Sequence, residues 1–192
     1  MALNKIIKLL QEEDGEYHEE DTFMVYGNQV DPKVIIIFEK RCIFEIMIPD
    51  MRHPIDSART LLISTFGVPS KKCLNFISKL KAPTYYMGDL DPTSFYAYLT
   101  IKYLKRRVAP TDKVRFPIKF LGLTMEDIPA KPDISIKLQK YELEVLEYIK
   151  QFKTPELKKE LDFLTKTSGK IEADGIYSVN KAYLKNKILK TI

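Results

Sequence analysis

A continuous apolar run near the start of the chain constrains the fold most. Residues 33–40 read KVIIIFEK, so five apolar side chains follow one another without a polar side chain between them. A strand with one face in solvent alternates apolar and polar residues, whereas a strand covered on both faces does not. The run therefore predicts a buried strand of a parallel sheet with helices on both sides.

The rest of the chain alternates strand-like and helix-like segments. Such alternation is typical of an α/β fold with a parallel sheet. We predict further strands in ARTLLISTFG (58–67), APTYYMGD (82–89) and FPIKFLGL (116–123). We predict helices in KRCIFEIMI (40–48, a short one), VPSKKCLNFISKL (68–80), PTSFYAYLTIKYLKRR (92–107), LQKYELEVLEYIKQF (138–152) and PELKKELDFLTKTSG (155–169).

The first residues give a weaker signal. Residues 3–13, LNKIIKLLQEE, fit either a helix or a strand followed by a loop. Residues 22–31, TFMVYGNQVD, alternate around Gly27-Asn28, which predicts a hairpin turn. We therefore expect an N-terminal extension with a hairpin over residues 1–31, and one α/β domain with a C-terminal helical part over residues 32–192.

Charge and cysteine content limit the function classes. The net charge is +5, from 31 basic and 26 acidic residues, which permits an anionic partner without requiring one. Two cysteines without a CxxC motif argue against a disulfide framework or a zinc site, and an intracellular setting is the default. The longest aliphatic run is far too short to span a membrane, so no membrane association is expected.

Three acidic residues follow the predicted strands. Glu39 closes the first strand, and Asp89 and Asp91 follow the third. Ligand sites in open parallel sheets form beyond the carboxyl ends of the strands. Side chains alternate along an extended chain, so Asp89 and Asp91 should point the same way. Three carboxylates at one edge would suit Mg²⁺, which could stabilise charge on a reacting phosphodiester.

Each of these acids also has a simpler explanation. Asp91 precedes Pro92, and this pair fits a helix N-cap with proline at the first helical position. Glu39 could be an acid in the first turn of a helix, where the helix dipole favours negative charge. Capping does not explain Asp89.

A glutamate after one aliphatic strand and Asp-x-Asp after a later strand resemble the Toprim pattern. VIIIFEKRCIFE, LLISTFGVPSKKCLNFISKL and PTYYMGDLDPTSFYAYLTIKY resemble successive segments of two related proteins, the A subunit of topoisomerase VI and the meiotic double-strand-break transesterase. FPIKFLGLTMEDI resembles the strand that follows, and SGKIEADGIYSVNKAYLKNKI the closing Lys-x-Glu segment and helix. The likeness runs in unbroken order over roughly residues 20–192.

The resemblance implies a protein that takes part in double-strand DNA cleavage. A tyrosine attacks the DNA backbone in that family, with help from Mg²⁺ and usually within a dimer. Glu39, Asp89 and Asp91 match its metal-binding and acid–base positions. The other matched positions are Gly67, Pro69, Pro92, Lys170 and Glu172.

The same resemblance implies partners and a cellular setting. The partners would be double-stranded DNA, a second copy of the chain, and either an ATPase B-type subunit or meiotic recombination proteins. The location would be nuclear in a eukaryote and otherwise cytoplasmic, at the nucleoid.

The sequence also departs from the family pattern. The attacking tyrosine lies in a winged-helix domain before the Toprim part, and none of the 11 tyrosines here has the matching Arg-x-x-Tyr context. Ser94 stands where a glycine is expected, Ser70 where an aspartate is expected, and Leu74 where an arginine is expected. We therefore expect this chain, on its own, to bind metal but not to form a covalent DNA adduct.

Basic residues supply candidate phosphate contacts. Lys71 and Lys72 open a predicted helix, where positive charge is mildly disfavoured, so they are better candidates than cations at a helix end. Cations near a helix C-terminus are favoured for structural reasons alone, and phosphate contacts there would be salt-sensitive. That second group comprises Lys102, Lys105, Arg106 and Arg107, and Lys170 is a further candidate.

Two other functions stay open at this stage. One is a hydrolytic Toprim nuclease in which water replaces the tyrosine. The other is a non-catalytic module that supplies a dimerisation surface or docks a partner.

Overall fold

A five-stranded sheet lies at the centre of the computed structural model, which describes residues 23–128 and 135–191. The strand order is β1-β3-β2-β4-β5, and a separate pair of short strands, β6 and β7, lies towards the C-terminus. The strands are β1 (Met24–Gly27), β2 (Val34–Phe38), β3 (Thr60–Ser64), β4 (Thr84–Met87), β5 (Ile118–Phe120), β6 (Ile136–Lys137) and β7 (Gly169–Lys170).

Helices connect the parallel strands and form the C-terminal part. Short 3₁₀ turns occur at Met125–Asp127 and Pro155–Leu157. The α-helices are α1 (Arg41–Ser57), α2 (Lys71–Ile77), α3 (Pro92–Tyr103), α4 (Lys140–Ile149), α5 (Lys158–Thr167), α6 (Ala173–Val179) and α7 (Lys181–Leu189).

The central strand is the aliphatic run from which the fold was predicted. β2 pairs in parallel with β3 on one side and with β4 on the other, and β5 extends the sheet in parallel beyond β4. Residues 35–38 are completely buried, as a strand covered on both faces requires. These findings confirm the α/β fold class and the parallel sheet.

The prediction of a hairpin around Gly27-Asn28 is wrong, because within the described residues the two segments beside this turn do not pair with each other. A turn is present there, because Asn28 Oδ1 accepts hydrogen bonds from the N–H groups of Val30 and Asp31. The strand before the turn, β1, pairs antiparallel with β3 and not with the chain that follows. β3 lies between β1 and β2, so the turn carries the chain past a neighbour that arrives later in the sequence.

The first helix is longer than expected. The prediction was a short helix over residues 40–48, whereas α1 continues through Pro49 to Ser57, although a proline often ends a helical pattern. Ile55, in its last turns, is completely buried. Burial of the Ile55 side chain in the core favours the extra turns despite the two prolines in this helix.

The two edges of the sheet carry different residues. Glu39 follows β2 and Asp89 follows β4, so both lie at the carboxyl edge of the parallel strands, where α2 also begins. α3 starts at this edge and runs back for 12 residues, about 18 Å at 1.5 Å per residue. Its last residues and the loop after them therefore lie towards the opposite edge.

The C-terminal segment returns to the carboxyl edge of the sheet. Leu90 and Ile171 exchange two backbone hydrogen bonds of 3.0 and 3.1 Å, which dock the chain after β7 beside the chain after β4. β7 itself pairs antiparallel with β6. This docking places residues 171–174 next to the strand-end acids.

Some expectations concern residues that the structure does not describe. The helix-or-strand alternative for residues 3–13 lies outside the described part, as does most of the expected N-terminal extension. No helix within residues 23–128 and 135–191 has the length and apolar character needed to cross a membrane. Cys42 is exposed and Cys73 is buried, and both are free thiols.

Candidate metal centre

Glu39 and Asp89 meet where β2 and β4 end. The backbone N–H of Asp89 donates a hydrogen bond to Glu39 Oε2, with a donor–acceptor distance of 3.4 Å. Both side chains are buried. The parallel pairing of Phe38 with Met87 sets this contact, because it brings the residues after each strand side by side.

Asp91 acts as the N-cap of α3. Its Oδ1 accepts a hydrogen bond of 2.6 Å from the Ser94 N–H and one of 2.8 Å from the Thr93 hydroxyl. Pro92 occupies the first helical position, as predicted. Asp91 is buried, and its charge raises the pKa of both Glu39 and Asp89, so it belongs to the same electrostatic group while also capping the helix.

The tightest group of carboxylates differs from the predicted set. Oxygen atoms of Asp89, Glu172 and Asp174 lie within 4.8 Å of one another, a spacing that could hold a metal ion. Within the described residues, Glu39 and Asp91 do not join this tight group. Of the predicted residues it therefore contains Asp89 and the Lys-x-Glu glutamate, and it adds Asp174, which the sequence reasoning missed.

The Lys40 side chain reaches into this group. Its Nζ lies 2.9 Å from Asp89 Oδ2, 2.9 Å from Glu172 Oε2 and 2.8 Å from Asp174 Oδ1. Burial alone would lower the pKa of Lys40, but Asp89 and the hydrogen bonds to the three carboxylates raise it above the usual lysine value. Lys40 is therefore a charged ammonium group among three carboxylates.

A second lysine extends the network. Lys170 Nζ contacts Glu142 Oε1 at 2.8 Å and Glu172 Oε1 at 3.3 Å. Glu142 is completely buried, and its other oxygen accepts a 2.7 Å hydrogen bond from the Gln139 N–H at the start of α4. Glu172 thus bridges Lys40 and Lys170 through its two oxygens.

The docked C-terminal segment completes the centre. The Ala173 N–H donates a 2.8 Å hydrogen bond to Asp89 Oδ1, while Oδ2 of the same carboxylate faces Lys40. With the Leu90–Ile171 bridge, this bond fixes Glu172 and Asp174 beside Asp89. The centre therefore depends on a contact between residues 84 positions apart.

Burial and neighbouring negative charges raise the pKa values of Glu39, Asp89 and Asp91. Burial, together with the charges of Asp91 and Asp89, raises the pKa of Glu39 well above its usual value. Burial and Asp91 raise the pKa of Asp89 to about 7, although Lys40 and the Ala173 N–H oppose the shift. Burial also raises the pKa of Asp91, against the opposing effect of its capping hydrogen bonds.

The donor set fits a hard divalent cation. Mg²⁺ prefers oxygen ligands, with one or two carboxylates and several waters. Asp89, Glu172 and Asp174 supply carboxylate oxygens at suitable spacing, and Asp174 is half exposed, so the group opens to solvent on that side. The roles of Glu39 and Asp91 as ligands stay predictions.

Ser94 changes the surroundings of Glu39. Its side chain is completely buried. Its hydroxyl lies close to the Glu39 carboxyl group but has no hydrogen-bond partner in the described part of the structure. A Cβ added at Gly88 would lie 3.1 Å from Glu39 Oε2 and would overlap the Ser94 hydroxyl. Gly88 thus leaves the space that the extra hydroxyl at position 94 requires.

Ser70 and Leu74, the other two residues that differ from the family pattern, have local structural explanations. Ser70 is the N-cap of α2, and its hydroxyl accepts a 3.1 Å hydrogen bond from the Cys73 N–H, so it takes over a role that an aspartate can also fill. Leu74 is buried in the core, where an arginine would need a charged partner. Gly67 and Pro69 form the turn before Ser70, and the Gly67 N–H donates to the Glu39 carbonyl at 2.9 Å.

Lys170, one of the seven predicted DNA-contacting residues, is largely buried in its ion pairs with Glu142 and Glu172. The other six form two groups. Lys71 and Lys72 are exposed at the start of α2, on the same edge as the carboxylates. Lys102 pairs with Glu156, and Lys105 Nζ lies 2.7 Å from Asp112 Oδ1. With the exposed Arg106 and Arg107 they lie towards the opposite edge, and the structure therefore separates the two groups.

Comparison with known proteins agrees with this architecture. Residues 34–191 match the family of Toprim domains from the topoisomerase 6 A-type subunit/Spo11 proteins. The chain belongs to this family. The match covers β2 through α7, and so includes every acid of the candidate centre.

Two curated relatives carry the two names that appear in the family description. A probable meiosis-specific protein SPO11 homolog from Encephalitozoon cuniculi is 26% identical over 153 residues, which covers 77% of this chain and 49% of that protein. The A-type subunit of a type 2 DNA topoisomerase 6 from Hyperthermus butylicus is 25% identical over 189 residues, which covers 83% of this chain and 46% of that protein. The chain spans about half the length of these relatives.

The sequence reasoning missed Lys40, Asp174 and Glu142. Lys40 directly follows Glu39, and Asp174 lies two residues after Glu172, so both are close in sequence to predicted site residues. Glu142 looked like an ordinary acid of an amphipathic helix, since no local signal marks it as the buried partner of Lys170.

Proposed function

We propose that this Toprim domain holds Mg²⁺ and double-stranded DNA and supports transesterification by a tyrosine supplied from another domain of the full assembly. The observation that carries the proposal is the group formed by Asp89, Glu172 and Asp174 at one edge of the sheet, with Glu39 beside it through the hydrogen bond from the Asp89 N–H. Carboxylates at such an edge can bind a divalent ion, and the ion stabilises charge that develops on a phosphodiester.

Each acid has a role in this proposal. Asp89 and Glu172 are metal ligands, and Asp174 and Asp91 complete the ligand set directly or through water. Glu39 acts as the general acid–base, because burial raises its pKa well above the usual carboxyl value, and a general acid or base works best when its pKa is shifted towards the operating pH. The raised pKa of Asp89 is compatible with metal binding, since a divalent ion displaces the proton.

The DNA lies along the carboxylate edge in this proposal. Lys71 and Lys72 are the nearest exposed cations among the predicted contacts, and they would neutralise backbone phosphates. The proposal includes a homodimer, an ATPase B-type subunit or meiotic recombination proteins as partners, and a nuclear or nucleoid location. The names of the two relatives, a meiosis-specific protein and a topoisomerase subunit, support a meiotic or a topoisomerase setting, and the individual partners rest on the family resemblance.

Magnesium-dependent DNA binding tests the proposal. Fluorescence anisotropy with a labelled duplex should show tighter binding when Mg²⁺ is added to the wild type, and Asp89→Asn should remove this gain. Asp162→Asn is the matched control, because Asp162 is an exposed carboxylate paired with Lys158 on α5. Equal Mg²⁺ gains in wild type and Asp89→Asn would refute the proposed role of the centre.

The same protein can be tested for cleavage. Incubation with supercoiled plasmid and Mg²⁺ should produce neither a covalent protein–DNA adduct nor nicked product. Nicking that Asp89→Asn abolishes would favour a hydrolytic nuclease instead. A non-catalytic docking module would be favoured by two results together. The Glu39→Ala/Asp89→Ala double variant would assemble with partners as the wild type does, and Mg²⁺ would not change the DNA affinity of the wild type.

A further inference from the structure

The ammonium group of Lys40 occupies the centre of the carboxylate group. A lysine ammonium has three donors, and here its nitrogen lies 2.8–2.9 Å from one oxygen of each of Asp89, Glu172 and Asp174. Each of the three donors can therefore serve a different carboxylate. A positive charge from the same chain therefore offsets part of the negative charge of the three carboxylates.

A divalent ion held by the same oxygens would need the same space. One oxygen from each of the three carboxylates lies within 4.8 Å of one oxygen from each of the others, and Mg²⁺ binds oxygen at about 2.1 Å. An ammonium group and a divalent ion cannot both lie between these oxygens, because they would overlap and their charges would repel. Binding of metal and the inward position of Lys40 exclude each other.

Lys40 can leave the group without a change in the fold. Its side chain is 27% exposed, and that of Asp174, on the solvent side of the group, is 51% exposed. A lysine side chain has a flexible four-carbon stem, so rotation about side-chain bonds can carry the ammonium into solvent. The backbone at Glu39 and at the start of α1 need not move.

We propose that Lys40 is a tethered counter-ion that fills the metal centre in the absence of metal and is expelled when a divalent ion enters. The inference rests on the metal centre of the proposed function, and it is independent of DNA binding and of cleavage. Lys40 thereby weakens divalent-ion binding and stabilises the metal-free fold.

Chemical labelling of the wild-type protein tests the movement directly. An amine-acylating reagent is applied with and without Mn²⁺, and modification at each lysine is measured by peptide mass spectrometry. Labelling of Lys40 should rise several-fold with saturating Mn²⁺, while Lys71 and Lys72, which are exposed already, should not change. Unchanged or reduced labelling of Lys40 at saturating Mn²⁺ would overturn the proposal.

A pair of variants separates displacement from simple loss of charge. Lys40→Met should bind Mn²⁺ about tenfold more tightly than wild type, as measured by the electron paramagnetic resonance signal of free Mn²⁺; tenfold corresponds to about 1.4 kcal/mol. Lys170→Met removes the same charge from the same network, since Lys170 also contacts Glu172. Lys170→Met leaves the Lys40 ammonium in place, so its gain in Mn²⁺ affinity should be much smaller than that of Lys40→Met.

The outcomes of the variant test are distinct. Equal gains in the two variants, weaker binding by Lys40→Met, or no Mn²⁺ binding by either Lys40→Met or wild type would each reject Lys40 as a counter-ion. If Lys40→Met fails to fold, the labelling experiment on the wild type decides alone. A clear rise in Lys40 labelling combined with no effect of Mg²⁺ on DNA binding would reject the proposed function and keep this inference.

Discussion

Glu39 Oε2 accepts a hydrogen bond of 3.4 Å from the backbone N–H of Asp89, and this contact joins the ends of two neighbouring parallel strands. The carboxyl group of Glu39 is buried beside two other acids. Its proton is therefore held more tightly in the folded protein than in the unfolded chain, and this difference links stability to pH.

Glu39→Gln should become more stable relative to wild type as pH rises. The folded pKa of Glu39 lies above the unfolded value of 4.5, so its favourable contribution is complete below that value and is lost as pH rises towards the folded pKa. Glutamine carries no charge at any pH and avoids this loss. Urea unfolding of both proteins in the presence of a chelator, from about pH 5 to about pH 8, measures the difference.

An exposed glutamate provides the control for this measurement. Glu147 is solvent-exposed and pairs with Lys150 on α4. The stability difference between Glu147→Gln and wild type should vary little over the same pH range. A difference between Glu39→Gln and wild type that stays constant with pH would contradict the buried, proton-retaining carboxyl.

Asp91 should tolerate asparagine better than alanine. The side chain accepts hydrogen bonds from the Ser94 N–H and the Thr93 hydroxyl, and an asparagine oxygen can accept both. Asp91→Ala should lower the free energy of unfolding by about 1 kcal/mol, the usual value of an N-cap, and Asp91→Asn by less. Urea denaturation measures both, and equal losses would show that the charge, and not the cap, stabilises the fold.

Gly122 should not accept a side chain. A Cβ at this position would overlap the Gly88 carbonyl oxygen and would lie 2.7 Å from the Gly88 nitrogen, directly before Asp89. Gly122→Ala should therefore cost about 1–3 kcal/mol of stability, as overpacking does, and should also weaken Mn²⁺ binding because it shifts Asp89.

Gly175 is the matched control for that substitution. It lies in α6, and a Cβ added there would meet nothing within 4 Å. Gly175→Ala should raise stability by about 0.5–1 kcal/mol, since alanine loses less backbone freedom in a helix. Thermal unfolding compares the two variants, and equal effects would refute the tight contact at Gly88.

DNA affinity should depend on Lys71 and Lys72 through salt. The slope of log K against log salt is negative, and each lost phosphate contact makes it shallower by about 0.9, so Lys71→Ala/Lys72→Ala should reduce its magnitude by about 2. Anisotropy titrations at several salt concentrations give the slope. The comparison variant is Arg106→Ala/Arg107→Ala, which removes two exposed cations towards the other edge.

The two double variants distinguish the edges of the sheet. A reduced salt dependence of DNA affinity in the lysine double variant alone would agree with DNA lying beside the carboxylates. A loss confined to the arginine pair would place the duplex at the opposite edge and would contradict the proposed arrangement.

Local patterns in the sequence were sufficient to predict the centre of the fold. The run at 34–38 could be recognised as a doubly buried strand because five successive apolar residues leave no face for water. The cap at Asp91 followed from the Asp-Pro pair. These features depend on residues that are close in the sequence, so their physical cause is visible there.

The errors and omissions involve contacts between distant residues. The partner of β1 is β3, more than thirty residues later, and no turn residue specifies that choice. Lys40 meets Glu172 across 132 positions, and Lys170 meets Glu142 through a buried ion pair. Such contacts are set by how the C-terminal segment docks on the sheet, which is a property of the whole fold.

The hydrogen bond from Ala173 to Asp89 has a consequence for synthesis of the protein on the ribosome. Asp89 and Ala173 are 84 positions apart, so a nascent chain exposes Glu39 and Asp89 well before residues 171–174 have been translated. In the proposed function Glu172 and Asp174 join Asp89 as metal ligands, so the complete ligand set would form only after the C-terminal segment has been made and has docked. Metal binding would then be a late step in the maturation of this polypeptide.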